Sequence, residues 1–106
     1  MFGWRITRVE GHSMEPGLCH GDYVVSRMAT ASPGDVVLID HPSLGRIVKR
    51  VLSRDENGAL IVFGDSPLST SSEVIGPIRP DDIEGVVCWR IAPVGLSAMP
   101  RMSLQR

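Results

Sequence analysis

The chain has 106 residues, a size for one domain with no room for two independent cores. Eleven Lys and Arg against twelve Asp and Glu leave a formal charge of -1, which excludes the global basic field that draws a protein onto a nucleic acid backbone. A hydrophobic content of 42% with 22% charged residues excludes disorder, and no uninterrupted apolar run is long enough to span a bilayer.

Along the chain, residues 5–9, 22–28, 35–40, 46–53, 59–63 and 83–91 are short runs rich in Val and Ile and read as strands. None carries a 3.6-residue period, and the abundant Gly and Pro between them favour a turn-rich all-β fold. Residues 1–11 hold Arg5, Arg8 and Glu10 among few apolar positions, so no secretory signal is read there and the cytoplasm is the expected compartment. In that compartment Cys19 and Cys88 stay reduced. Ser32-Pro33-Gly34-Asp35 is a turn, and Asn57-Gly58 makes residues 46–63 a hairpin. The polar stretch 64–80 reads as a long surface excursion. Residues 1–92 are expected to form one domain, with 93–106 a tail that loses strand character and frays.

Ser13 lies in Gly11-His12-Ser13-Met14-Glu15-Pro16, between two strands. A serine hydroxyl becomes a useful nucleophile only beside a base that takes its proton. One source is histidine. His12 is adjacent to Ser13 and points to the opposite face of an extended segment, while His20 and His41 lie in no triad setting. The other source is Lys49, whose strand parity matches apolar Ile47 and Val51. Burial there would lower its pKa towards the working range of a general base, a role that Arg50 cannot take. A plainer reading makes Lys49 an edge-strand gatekeeper with Arg50 turned inward, and Ser13 a helix N-cap. His12, Cys19 and His20 lack the spacing of a closed zinc site, so no metal is expected.

The ordered segments Gly11-x-Ser13-Met14-x-Pro16-x-Leu18, Gly21-Asp22, Lys49-Arg50 and Gly64-Asp65-Ser66 resemble the Ser-Lys peptidases that include bacterial signal peptidases and SOS-repressor autoproteases. The resemblance runs from about residue 9 to residue 87. It implies a coiled, partly barrel-like antiparallel sheet with Ser13 as nucleophile and Lys49 as general base, needing no cofactor. It further implies cleavage of a precursor polypeptide after small residues. Signal peptidases carry Ser or Thr where this chain has Gly11, so the oxyanion hole falls to the backbone N–H groups of Ser13 and His12, as in the repressor branch. The usual arginine of the third motif is replaced by Ser71-Ser72-Glu73, which leaves Ser71 or Ser72 to orient the lysine. Met14 and Pro16 are candidates for binding substrate.

Twelve residues precede Ser13, without a DNA-binding domain or an upstream Ala-Gly pair, so the expected substrate is another polypeptide cut in trans. A sheet edge beside the serine would grip it by strand addition. Exposed strands also allow two copies to pair. His41-Pro42, Gly64–Leu68 and Gly76-Pro77-Ile78 are most similar to the proteases that mature nickel-type superoxide dismutase. Two alternatives stand beside this: a non-catalytic peptide-binding module of the same fold, and a signal-peptidase-like enzyme brought to the membrane by a partner.

Overall fold

The computed structural model describes residues 3–67, 69 and 71–100. It is almost entirely antiparallel sheet: β1 (Trp4–Arg8), β2 (Tyr23–Arg27), β3 (Val36–His41), β4 (Gly45–Arg54), β5 (Leu60–Phe63), β6 (Ile83–Ala92) and β7 (Gly95–Ala98). A single helical turn, α1 (Ser72–Ile75), and a 3₁₀ turn at Pro80–Asp82 complete the described elements. The strand order is β1-β2-β6-β3-β4-β5, with β7 added to β6, and the sheet does not close.

The turns follow from side-chain acceptors placed where backbone N–H groups need them. Asp35 accepts from Ser32 N at 2.9 Å, and Asp55 accepts from the N–H groups of Asn57 and Ala59, both at 2.9 Å. These fix the entry to β3 and the β4–β5 hairpin, as the sequence suggested.

Strand β3 shows how the sheet coils. Its run Val36–Ile39 does not alternate with polar residues, and all four side chains are buried. Val37 and Ile39 join one core with Val51, Leu60, Val62, Ile75 and Ile78, whereas Val36 joins a second core with Val9, Met14, Leu18, Val24 and Val87. A strand covered on both faces needs apolar residues at consecutive positions.

Two expectations need correction. Residues 95–98 form β7, pairing Leu96 with Ile91 and Ala98 with Trp89, so the C-terminal stretch keeps strand structure through residue 98. Apolar neighbours on β6 supply the cross-strand contacts that the local sequence does not advertise. Residues 101–106 lie outside the described residues. The excursion 64–80 is not confined to the surface either. Ile75 and Ile78 are buried in the first core, and Ile78 exchanges two backbone hydrogen bonds with Leu60, at 2.7 and 2.8 Å. Two isolated apolar residues in a polar stretch were enough to pin it. Trp4 and Trp89 stand partly exposed on the sheet. No helix among the described residues is long and apolar enough to cross a membrane.

Candidate active site

Ser13 sits in the connection from β1 to β2, whose base is clamped by Val9 N donating to Asp22 O at 2.7 Å and Gly21 N donating to Val9 O at 2.9 Å. Met14 and Leu18, one and five residues on, are driven into the second core, being 1% and 0% exposed. Their burial anchors the intervening turn, which is tied by Leu18 N to Met14 O at 3.0 Å. Ser13 is therefore held half-buried at the rim of a well-packed cluster. It caps no helix, since residues 13–17 form a turn.

A second segment grips the serine from outside. Ser66 N donates to Ser13 O at 2.9 Å. Gly64 packs so closely that a Cβ there would lie 2.6 Å from Ser13 O and 2.4 Å from Ser69 Cβ, so only glycine fits. Asp65 anchors this loop: its carboxylate receives Arg50 Nε at 2.9 Å and Nη2 at 2.8 Å, a bidentate pair. Arg50, 4% exposed, also donates to Gly34 O at 2.8 Å. Its neighbour Lys49 is likewise 4% exposed.

Ser13 and Lys49 line one cleft of about 510 Å³, together with Thr7, Arg8, Leu38 and Val48. Among the described residues no carboxylate pairs with the Lys49 amine and no hydrogen bond reaches it. Burial without a counter-ion pushes its pKa below the ordinary lysine range. The gatekeeper reading of Lys49 is thereby excluded. Adjacent residues of β4 are both buried, Lys49 in the cleft and Arg50 on Asp65.

Arg46, which also lines the cleft, donates Nε to Glu84 Oε1 at 2.8 Å, and Arg5 on β1 pairs with the same carboxylate. The Arg46 hydrogen bond, more than the Arg5 one, holds the Glu84 carboxyl below the usual carboxylate range. The shared glutamate ties both strands that flank the cleft to β6.

The remaining expected site residues fall as follows. His12 lines the cleft while its Nδ1 meets Glu15 Oε2 at 2.8 Å. The backbone N–H groups of His12 and Ser13 donate to no acceptor among the described residues. His41 is structural: Nδ1 accepts from Ser43 N and Leu44 N, both at 3.0 Å, and Nε2 lies 2.8 Å from Ile75 O. Met14 is core and lines no part of the cleft, and exposed Pro16 lines none of it either. Ser72 donates its only hydroxyl proton to Val62 O at 2.6 Å. Ser71 caps α1 by accepting from Val74 N. Both serines are absent from the cleft walls: the Ser71 hydroxyl caps α1 and the Ser72 hydroxyl ties the helix to β5. No group of three His, Cys, Asp or Glu among the described residues is arranged to hold a metal.

Sequence reasoning assigned no work to Asp65, Arg50 or the Gly64 contact. The adjacency Lys49-Arg50 and the pair Gly64-Asp65 were the available signals.

A family model described as Peptidase S24-like matches residues 4–87, from the start of β1 into β6. No curated protein and no solved structure gives a significant match.

Proposed function

The chain belongs to the Peptidase S24-like family, and from that premise we propose that it is a serine endopeptidase with a Ser13/Lys49 dyad that cleaves another polypeptide in trans after small residues. The observation that supports this is the shared cleft, which is lined by Ser13 and by a lysine that is buried and has no counter-ion among the described residues. A neutral Lys49 amine takes the Ser13 hydroxyl proton as Oγ attacks the scissile carbonyl carbon. The developing oxyanion is received by the N–H groups of His12 and Ser13. Lys49 then gives its proton to the departing amine, and in the second half it takes a proton from a water molecule that attacks the acyl carbon and returns it to Ser13 Oγ as the ester bond breaks. Arg8 and Arg46 share the cleft but stay protonated and cannot replace the lysine.

The substrate route is suggested by two strand edges that are unpaired among the described residues: β1 pairs there with β2 alone, and β4 pairs with β5 only from Arg50 onward, which leaves one edge of residues 45–49 without a described partner strand. Thr7, Arg8 and residues 46–49 line the cleft. An extended peptide laid between these edges would add a strand with its carbonyl beside Ser13. The precursor of a nickel-type superoxide dismutase is one substrate of this class, a narrower reading supported by the sequence segments around His41-Pro42 and Gly64-Asp65.

The test is a mixture of peptides with varied residues around a central Ala, Gly or Ser, followed by mass spectrometry. Cleavage after the small residue is expected for the native chain and none for Ser13→Ala. Equal cleavage by Ser13→Ala, or peptide binding by the native chain without any cleavage, would refute the hydrolytic reading, the latter in favour of a binding module.

A further inference from the structure

The turn that presents Ser13 is held by a side chain outside the dyad. Gly11 adopts φ +84°, open to glycine at little cost, and its N–H points at His20 Nδ1, 2.9 Å away. To accept that bond, Nδ1 must carry a lone pair, so the ring proton of neutral His20 resides on Nε2. Gly11 immediately precedes His12 and Ser13, whose N–H groups have no other acceptor among the described residues. His20 holds the Glu10–Gly11 peptide at the entry to the turn, and Glu15 N donating to His12 O at 3.2 Å holds the His12–Ser13 peptide, so the peptide between them, which carries the His12 N–H, is steadied from both sides.

We propose that neutral His20 is a positioning residue for Ser13 and its backbone donors, and that a proton on Nδ1 releases them. This rests on the dyad reading above. Protonated His20 offers an N–H where Gly11 already presents one, so the bond is lost. A new acceptor stands close by: Glu10 Oε2 is 3.9 Å from Nδ1, and among the described residues its carboxylate is otherwise engaged only by exposed Arg8 at 3.4 Å. The other charged neighbours are committed. The His12 ring, 5.7 Å from that of His20, is paired with Glu15. The Asp22 carboxylate is taken by Arg90 Nε at 2.8 Å and by Cys19 N at 2.9 Å. Glu10 is therefore the group that draws the imidazolium away from Gly11.

His20 is partly exposed and outside both cores, so its substitution leaves the fold intact. His20→Asn retains an acceptor near the Nδ1 position but does not titrate, whereas His20→Ala removes the acceptor. With the best-cleaved peptide of the mixture as probe, kcat/KM at pH 8 should stay within about threefold for His20→Asn and fall about tenfold or more for His20→Ala. On the acid side, loss of the Gly11 bond adds to the fall through Lys49 a further drop that levels off at the His20→Ala loss, about tenfold or more. His20→Asn should lose about tenfold per unit, through Lys49 alone. In the NMR spectrum the Gly11 amide proton should shift with histidine titration in the native chain and stay still in His20→Asn. A native rate in His20→Ala at pH 8, an unchanged acid limb in His20→Asn, or a Gly11 amide indifferent to pH would each overturn the role. Failure of the dyad itself is read separately, as cleavage retained by Ser13→Ala.

Discussion

Lys49→Met is expected to lower peptide cleavage about a thousandfold or more while raising the thermal unfolding midpoint by a few degrees. The two effects have one cause. The Lys49 side chain is 4% exposed and no carboxylate among the described residues compensates it, so folding strips water from an ammonium group and gives nothing back. Methionine has nearly the same length, fills the same space and carries no charge. The pH dependence identifies the mechanism. Because burial lowers the folded-state pKa below the ordinary lysine value of 10.5, the unfolded chain binds more protons between those two pKa values. Native stability must rise with pH across that window. The deficit is full below the folded value and vanishes near pH 10.5, so the advantage of methionine should be widest at neutral pH and close in alkali. Activity moves with the same ionisation, rising as Lys49 loses its proton. A methionine variant that is less stable at every pH would show that the lysine serves packing or an unseen partner instead.

Asp65→Ala is expected to destabilise the domain by about 3–5 kcal/mol, because it leaves the Arg50 guanidinium buried with no carboxylate. For a chain of this size that lowers the midpoint by more than about 12 °C, which calorimetry would read directly. The loss should reach the site as well, since the loop that Asp65 anchors supplies the Ser66 N–H to Ser13 O. Replacing both partners in Arg50→Met/Asp65→Leu should cost less than Asp65→Ala alone, because no charge is then stranded. If the double variant were the worse of the two, packing rather than the uncompensated charge would be the source of the damage. Adjacent residues of β4 thus respond in opposite directions: removing the Lys49 charge stabilises, while stranding the Arg50 charge unfolds.

The strands that alternate or run apolar were legible in the sequence because their own residues carry the signal. Residues 35–40 read as a strand from their own Val and Ile, and Asp35 and Asp55 mark the turns they cap, whereas the coverage of Val36–Ile39 on both faces emerged only from the fold. What was not legible depends on partners distant in sequence. β7 is a strand because β6 presents Ile91 and Trp89 to it, and nothing within residues 95–98 announces this. Ser71 and Ser72 looked free to orient a lysine, but the Ser71 hydroxyl caps a one-turn helix and the Ser72 hydroxyl donates to Val62 O on β5. Met14 looked like a pocket residue, being next to the serine, but its side chain points into the core and serves to fix the turn. The Ser13/Lys49 dyad rests on motif wording, and what the fold adds is that both residues line one cleft, which sequence spacing could not supply.

Lys49 is the only lysine in the chain, the other ten of its eleven Lys and Arg residues being arginine. A preparation labelled with carbon-13 and nitrogen-15 lysine therefore gives one side-chain signal, and its titration by NMR reads the ionisation on which the whole mechanism depends. The account predicts a single transition below pH 10.5, coincident with the alkaline-rising midpoint of kcat/KM. A Lys49 signal that titrates at 10.5 or above, while the protein remains folded, would contradict it.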